Sequence, residues 1–228
     1  MTDTHVAIEP IPASAFRDAA GTADWRVVGD GACAFYRTTS FETAARLVAA
    51  IARLAGVQDH QPDVDVRPDG VTVRLLTTSD DYYGMSRRDV ELAGRIAGVA
   101  RDLGLAADTT ALQAVGPIVI DALDIPAVMP FWRALLGYEY RADSADRDLV
   151  DPRRRGPGVW FQQMDAPREQ RNRMHVAVWV PVEQAEERVA AAIAAGGRVV
   201  SDADAPAGWF LADPEGNEAD VATIESRD

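Results

Sequence analysis

The segment Asp59-His60-Gln61-Pro62-Asp63 carries the most pointed chemistry in this chain. It holds one of only three histidines in 228 residues and sets it among carboxylates. Histidine titrates near neutral pH, so one presented by a loop beside Asp59 or Asp63 can take a proton and return it. The alternative reading of His60 is architectural: a loop histidine that orders the turn from a helix into a strand. The single cysteine, Cys33, alternates with Phe35 in an apolar run, which reads as a buried thiol rather than a nucleophile.

The His60 loop joins two elements that must hold it still. Before it, Ser40 can cap a helix whose apolar stripe is Phe41, Ala44, Ala45, Val48, Ile51, Ala52 and Ala55, with Gly56 weakening its end. After it, Val64, Val66, Val71, Val73 and Leu75 alternate with polar residues around the turn Pro68-Asp69-Gly70, which predicts two antiparallel strands. An earlier hairpin is predicted from Trp25 to Arg37, with Gly29-Asp30-Gly31 as its turn. Ser86 opens a second helix, and Asp89 three residues later makes a capping box with Asp in place of Glu. Its stripe is Val90, Ala93, Ile96, Ala97 and Ala100, and Gly104 ends it. Strands with two helices between them suggest helices on one face of an antiparallel sheet. The small, polar run 106–114 is the expected linker.

The second half repeats one unit. A strand at Ile118–Leu123 leads to a helix at Ile125–Leu136, with Pro126 in its first turn, Pro130 soon after and Gly137 beyond its end; short strands follow, to Met164. The order recurs from Met174, with a helix at Val182–Ala195 and strands ending near Ile224. Neither copy is large enough for a comfortable core alone, so the two should pack together. The fold class is therefore α+β, as a first domain over 1–105 and a second over 115–228.

Composition excludes several roles. A net charge of -13 argues against a nucleic-acid partner, which needs a basic surface. No apolar run reaches membrane-spanning length, and the first residues lack the basic-then-apolar pattern of a signal peptide. With one cysteine and so no internal disulfide, the expected location is the cytoplasm. Arg153-Arg154-Arg155 before Gly156-Pro157-Gly158 reads as a solvated loop, with an anion site as the alternative. Arg168, Arg171 and Arg173 could likewise bind a carboxylate or only solvate the surface. Trp132 reads as core, whereas Trp160 and Trp209, in strands, could line a cavity for a planar ligand.

Residues 10–105 resemble the pterin-4a-carbinolamine dehydratases. The likeness is carried by Trp25, Phe35 to Phe41, His60-x-Pro62-Asp63, Val71-Thr72-Val73-Arg74-Leu75 and Gly84-Met85-Ser86-x-x-Asp89-x-x-Leu92-Ala93. That family surrounds a pterin with three histidines that move the protons of dehydration. The resemblance implies His60 as the first of them, Gln61 in place of the second and Thr78 in place of the third. Gly56 stands at the family's acidic position, Pro68 at its aromatic one, and Asp89 is retained. Implied roles are His60, Asp63 and Asp89 in catalysis and Gln61 and Thr78 against a pterin-like ring. Gln61 and Thr78 hydrogen-bond but do not titrate near pH 7.

Residues 115–226 resemble the vicinal-oxygen-chelate superfamily, in its glyoxalase-like and bleomycin-resistance-like branch. The carriers are Ile120-Asp121-Ala122-Leu123-Asp124, Phe131-Trp132-x-x-Leu135-Leu136-Gly137-Tyr138, Val159-Trp160-Phe161-Gln162, Asn172-Arg173-Met174-His175-Val176 and Asp213-Pro214-Glu215-Gly216-Asn217-Glu218. Metal-dependent members draw ligands from the first and last strands of each repeat. The resemblance places His175, Asp220 and Gln162 (or Gln163) there, with Pro117 at the remaining position. One His, one Asp and a Gln make a poor set for tight divalent-metal binding, so no cofactor is expected. Both families imply a small-molecule ligand and a homodimer. The expected function is a dehydratase-like lyase with a depleted histidine site; the alternatives are an enzyme on the second domain, or a non-catalytic binding or resistance protein.

Overall fold

The computed structural model describes residues 8–112, 116–167 and 174–223. It divides into two compact units, Met1–Val115 and Gly116–Asp228.

The first unit opens with the short helix α1 (Ala13–Asp18), which buries Phe16. The hairpin follows as β1 (Arg26–Val28) and β2 (Gly31–Arg37). Val28 pairs with Gly31, leaving a two-residue turn. Gly29 sits there at φ +62°, the left-handed backbone that the first position of a type II′ turn needs. Next come α2 (Phe41–Ala52), β3 (Asp63–Arg67), β4 (Gly70–Leu75), β5 (Thr77–Thr78), β6 (Tyr83–Gly84) and α3 (Arg87–Asp102). The main sheet runs β1-β2-β4-β3, all antiparallel, and β5 and β6 form a separate small ladder.

Alternation decides which face is buried. Ala32, Ala34, Tyr36, Val71, Val73 and Leu75 share a core with Leu47 and Ile51 of α2 and Leu92 and Ile96 of α3. Each of these four helix side chains contributes roughly 1.5–3 kcal/mol on burial. The buried line of α2 is Ala44, Leu47 and Ile51, one step around from the expected stripe, and Phe41 is 75% exposed. Phe41 is the first helical residue, where no preceding turn packs beneath it. On the other sheet face, Cys33 pairs in register with Arg74. Burial pushes its thiol up, partly offset by Arg74, so it is a poor nucleophile.

Part of the expected linker belongs to this unit. Ala107 bridges Tyr36, the Asp108 N–H donates to the Phe35 carbonyl, and Arg37 pairs with Asp108 at 2.7 Å.

The second unit contains β7 (Ile118–Ala122), α4 (Ile125–Leu136), β8 (Glu139–Tyr140), β9 (Asp148–Val150) and β10 (Val159–Gln163). The same order returns as β11 (Val176–Trp179), α5 (Val182–Ala194), β12 (Arg198–Ser201), β13 (Gly208–Ala212) and β14 (Glu218–Ala222). The sheets are β7-β10-β9-β8 and β11-β14-β13-β12, each with one parallel pair joining its first and last strands. The β12–β13 ladder slips between Val199 and Ser201. Pro130 is accommodated, and α4 runs unbroken through it. One hydrophobic core, including Phe131, Trp132, Leu135, Phe161, Val189, Leu211 and Val221, spans both repeats, as two undersized copies require.

The turn before β14 is held from within. The fully buried Asp213 takes the Trp132 indole N–H at 3.0 Å and the Asn217 amide at 2.7 Å on Oδ2. Its Oδ1 accepts the Glu215 and Asn217 backbone N–H groups, both at 2.9 Å. Gly216 closes the turn at φ +93°. Glu215 reaches to the first repeat, where its carboxylate accepts the N–H groups of Leu123 (3.0 Å) and Asp124 (2.6 Å) just before α4.

Candidate functional site

In the first unit the structure gathers His60, Thr77, Ser86 and Asp89. Asp89 is the third residue of α3, and its side chain folds back to the helix start, accepting the Ser86 N–H on Oδ2 at 2.6 Å. This is the capping box. Thr77 Oγ1 donates to the same oxygen at 2.8 Å. Ser86 Oγ lies 3.1 Å from it and 2.6 Å from Thr77 Oγ1, so its proton can serve either. That leaves Oδ1, which meets His60 Nε2 at 2.7 Å. The Asp89 side chain is 0% exposed and that of His60 11%.

One carboxylate therefore does two things: it caps α3 and grips the histidine. Because an ionised carboxylate only accepts, the proton in the His60–Asp89 bond sits on Nε2 and Nδ1 is left as the basic nitrogen. The loop that carries His60 is tied to the same helix, since Arg88 donates to the Asp59 carbonyl at 3.3 Å and Arg95 to that of Ala55. The segment before α1 braces the helix start from the other side, through Arg87 N–H to the Glu9 carbonyl and Ile11 N–H to the Met85 carbonyl.

The remaining expected residues lie elsewhere. Asp63 stands opposite Arg74 in the β3–β4 register, with the charges 4.0 Å apart, on the sheet face away from the helices. Gln61 and Thr78 are exposed, and Thr78 pairs with Tyr83. Thr77 is the residue that sequence reasoning missed. It continues the inward series Val71, Val73, Leu75, all buried, and a hydroxyl at the fourth inward position needs a polar partner.

In the second unit His175 and Asp220 come together. His175 Nε2 is 3.1 Å from Asp220 Oδ1, with the side chains 49% and 13% exposed. The His175 ring stands edge-on to Phe210, 5.9 Å between centroids. Register explains the grouping: Ala177, Asp220 and Phe210 are cross-strand neighbours on one face, and His175 precedes Ala177 by two. Burial pushes the Asp220 carboxyl up, partly countered by His175. A raised carboxyl favours the folded state below its unfolded value of 3.8 and penalises it once pH rises through the folded value. Asp220→Asn is accordingly expected to raise the melting temperature at pH 7, with the gain shrinking as pH falls towards 4, in thermal scans across that range.

Gln162 lies in the other sheet, beside Asp121. Gln163 donates to the Leu123 carbonyl at 2.8 Å. Trp160 is exposed, whereas Trp209, expected at a cavity wall, is buried in the core and Phe210 takes the open face. The Arg153–Arg155 loop wraps an anion of its own: Asp151 accepts the N–H groups of Arg153, Arg155 and Gly156. Arg168, Arg171 and Arg173 lie outside the described residues.

Residues 9–99 match the family described as pterin 4 alpha carbinolamine dehydratase. A protein of Nocardia farcinica, provisionally named a pterin-4-alpha-carbinolamine dehydratase, is 37% identical over 78 residues, which cover 34% of this chain and 80% of that one. The chain belongs to the pterin-4a-carbinolamine dehydratase family. A Paracidovorax citrulli protein with the same provisional name is 39% identical over 75 residues, and the chain spans 63% of its length. Only the first unit carries this membership; residues 117–222 match the glyoxalase-like domain instead. Solved structures similar to the second unit include a glyoxalase-related enzyme from Fulvimarina pelagi, 20% identical over 50% of this chain and 90% of that one, with a TM-score of 0.40. Another is a glyoxalase/bleomycin resistance protein/dioxygenase family enzyme from Burkholderia phytofirmans, 18% identical over 47% and 95%, with a TM-score of 0.39. The protein is thus a dehydratase-like unit fused to a glyoxalase-like unit. Among the described residues, no helix is long and apolar enough to cross a membrane.

The metal of metal-dependent glyoxalase-like proteins does not fit the described residues. Among the described residues no group of three His, Cys, Asp or Glu side chains is placed to hold an ion, and Zn²⁺ needs three or four good ligands. The repeats explain why. Val159 pairs with Ile118 in the first parallel pair and Ala219 with Val176 in the second. Pro117 and Trp160 therefore occupy the places that His175 and Asp220 hold, and neither offers a metal donor.

Proposed function

We propose that the chain is a lyase whose dehydratase-like unit removes water from a carbinolamine of the pterin class, with His60 carrying the proton. The observation behind this reading is the 2.7 Å bond from His60 Nε2 to a fully buried carboxylate, which fixes one ring nitrogen and leaves the other basic. A carbinolamine carries a hydroxyl and an N–H on neighbouring atoms. His60 Nδ1 takes the N–H proton, and the electron pair forms the C=N bond as the hydroxyl departs. The imidazolium, held by Asp89, then gives the proton to the leaving hydroxyl, and water is released. Proton and electrons balance with one shuttling group and no co-reactant. Gln61 and Thr78 can hydrogen-bond the ring but cannot share the proton transfer.

Turnover of a synthetic carbinolamine is expected to fall roughly 10²–10⁴-fold in His60→Ala, the range for loss of a general acid–base group. Equal rates for wild type and variant, both at the uncatalysed background, would end this reading. The second reading is a binding protein without turnover. It is favoured by Gln61 and Thr78, which do not titrate near pH 7, at two positions where the family carries histidines.

A further inference from the structure

Thr77 makes a bond that the start of α3 does not need. The capping box is complete between Ser86 and Asp89. Thr77 comes from β5, nine residues before Ser86 and twelve before Asp89, and is 1% exposed. A valine would continue the inward series Val71, Val73, Leu75 without bringing a hydroxyl into the core. The Thr77 hydroxyl proton goes to Asp89 Oδ2, which it meets at 2.8 Å, against 3.1 Å for Ser86 Oγ. Ser86 Oγ lies nearer to Thr77, at 2.6 Å, so the Ser86 hydroxyl donates to Thr77 Oγ1. The result is a chain of hydroxyls, from Ser86 to Thr77 to Asp89, in which each bond polarises the next. The Ser86 N–H reaches the same Oδ2 from the helix at 2.6 Å. Two donors from two elements fix how the carboxylate is turned, and that turn aims Oδ1 at His60 Nε2.

We propose that Thr77 is a positioning residue of the dehydratase-like unit: its hydroxyl locks the Asp89 carboxylate and thereby holds the His60 ring in the tautomer with its proton on Nε2. The effect on a reaction rests on the reading of His60 as the proton carrier; the locking of the ring does not. The terminal torsion of an aspartate is broad rather than staggered, so the carboxylate's orientation is set by its partners. With Oδ2 held only by Ser86, the carboxylate can swing and offer the ring either oxygen. His60 then loses the fixed bond that decides which nitrogen is basic. A ring protonated on Nδ1 instead has no lone pair there to take the carbinolamine N–H proton. Thr77 is buried and acts only through Asp89.

Nitrogen-15 NMR of the full chain at about pH 9, above the ordinary histidine range, reads the tautomer directly. The His60 signals are those lost in His60→Ala. Wild type is expected to show His60 protonated on Nε2 alone. Thr77→Val, which keeps the shape and removes the hydroxyl, is expected to bring in the Nδ1–H form. Thr77→Ser, which keeps the hydroxyl, is expected to restore the single tautomer. In carbinolamine turnover Thr77→Val is expected to lower kcat roughly 10–100-fold with KM unchanged, the upper value being that for misplacing a reacting group by about 1 Å. A folded Thr77→Val protein with the wild-type tautomer would overturn the proposal. So would an unchanged kcat in that variant where wild-type turnover depends on His60, or a Thr77→Ser protein that behaves like Thr77→Val. If Thr77→Val does not fold, Thr77→Ala carries the same readouts. Failure of the lyase reading would show separately, as turnover indifferent to His60→Ala while the tautomer still changes in Thr77→Val.

Discussion

Replacing Asp89 by alanine is expected to lower the stability of the dehydratase-like unit by roughly 3–5 kcal/mol, the range for removing one partner of a buried polar cluster. The Ser86 N–H, the Thr77 hydroxyl and His60 Nε2 would all lose their acceptor in a place where the Asp89 carboxylate is 0% exposed. Loss of the capping box is part of this total, at about 1 kcal/mol. Chemical denaturation followed by far-ultraviolet circular dichroism measures it, and a change under about 1 kcal/mol would mean that water replaces the lost acceptor. Asp89→Asn separates stability from chemistry. It keeps the shape, but its amide cannot accept from every donor now converging on the carboxylate. The rate of carbinolamine dehydration is expected to drop about 10²–10⁴-fold with little change in KM, because Asp89 acts through His60. A variant with wild-type kcat would reduce Asp89 to a helix cap.

The second large effect is expected at Asp213. Alanine there leaves the Trp132 indole N–H, the Asn217 amide and two backbone N–H groups without an acceptor. A loss of roughly 3–5 kcal/mol is expected, on the same reasoning. Four of the five tryptophans lie in the glyoxalase-like unit, so fluorescence-detected unfolding reports mainly on it. The denaturation midpoint should fall there, and the Glu215 contact with the start of α4 should loosen with the turn. If the midpoint holds, the shape of the turn rests on Gly216 and the backbone bonds alone.

Local signals made much of this fold legible. Ser40 accepts the Thr43 N–H as a cap should, and the Ser86-x-x-Asp89 spacing forms the box it predicts. Alternation over 63–75 placed β3 and β4 because one face is apolar and the other charged. Where both faces are apolar, no phase can be read. Gly208-Trp209-Phe210-Leu211-Ala212 is such a run, which is why Trp209 rather than Phe210 was assigned to the open side. The heart of the first site was half visible. His60 and Asp89 stood out by type, but their contact spans 29 residues and is made by tertiary packing, beyond the reach of any local pattern. Thr77 was hidden by its neighbour Thr78, which drew attention through family position although it faces solvent. In the second unit Gln162 pairs with Asp121, and strand register gives Trp160 the place in the first repeat that Asp220 holds in the second, an equivalence that no local pattern displays.

The slipped ladder at the end of the second sheet has a consequence for how this protein behaves in concentrated solution. β12 is an outermost strand, and Val199 and Val200 are exposed on it. A straight, apolar border of this kind invites strands of other molecules to add on, the usual start of β-aggregation. Val200 has no partner in the register, so the border bends where it is most hydrophobic, and Arg198 places a charge beside it. Resistance of this edge to strand addition is thus expected to rest in part on a residue left out of the β12–β13 register.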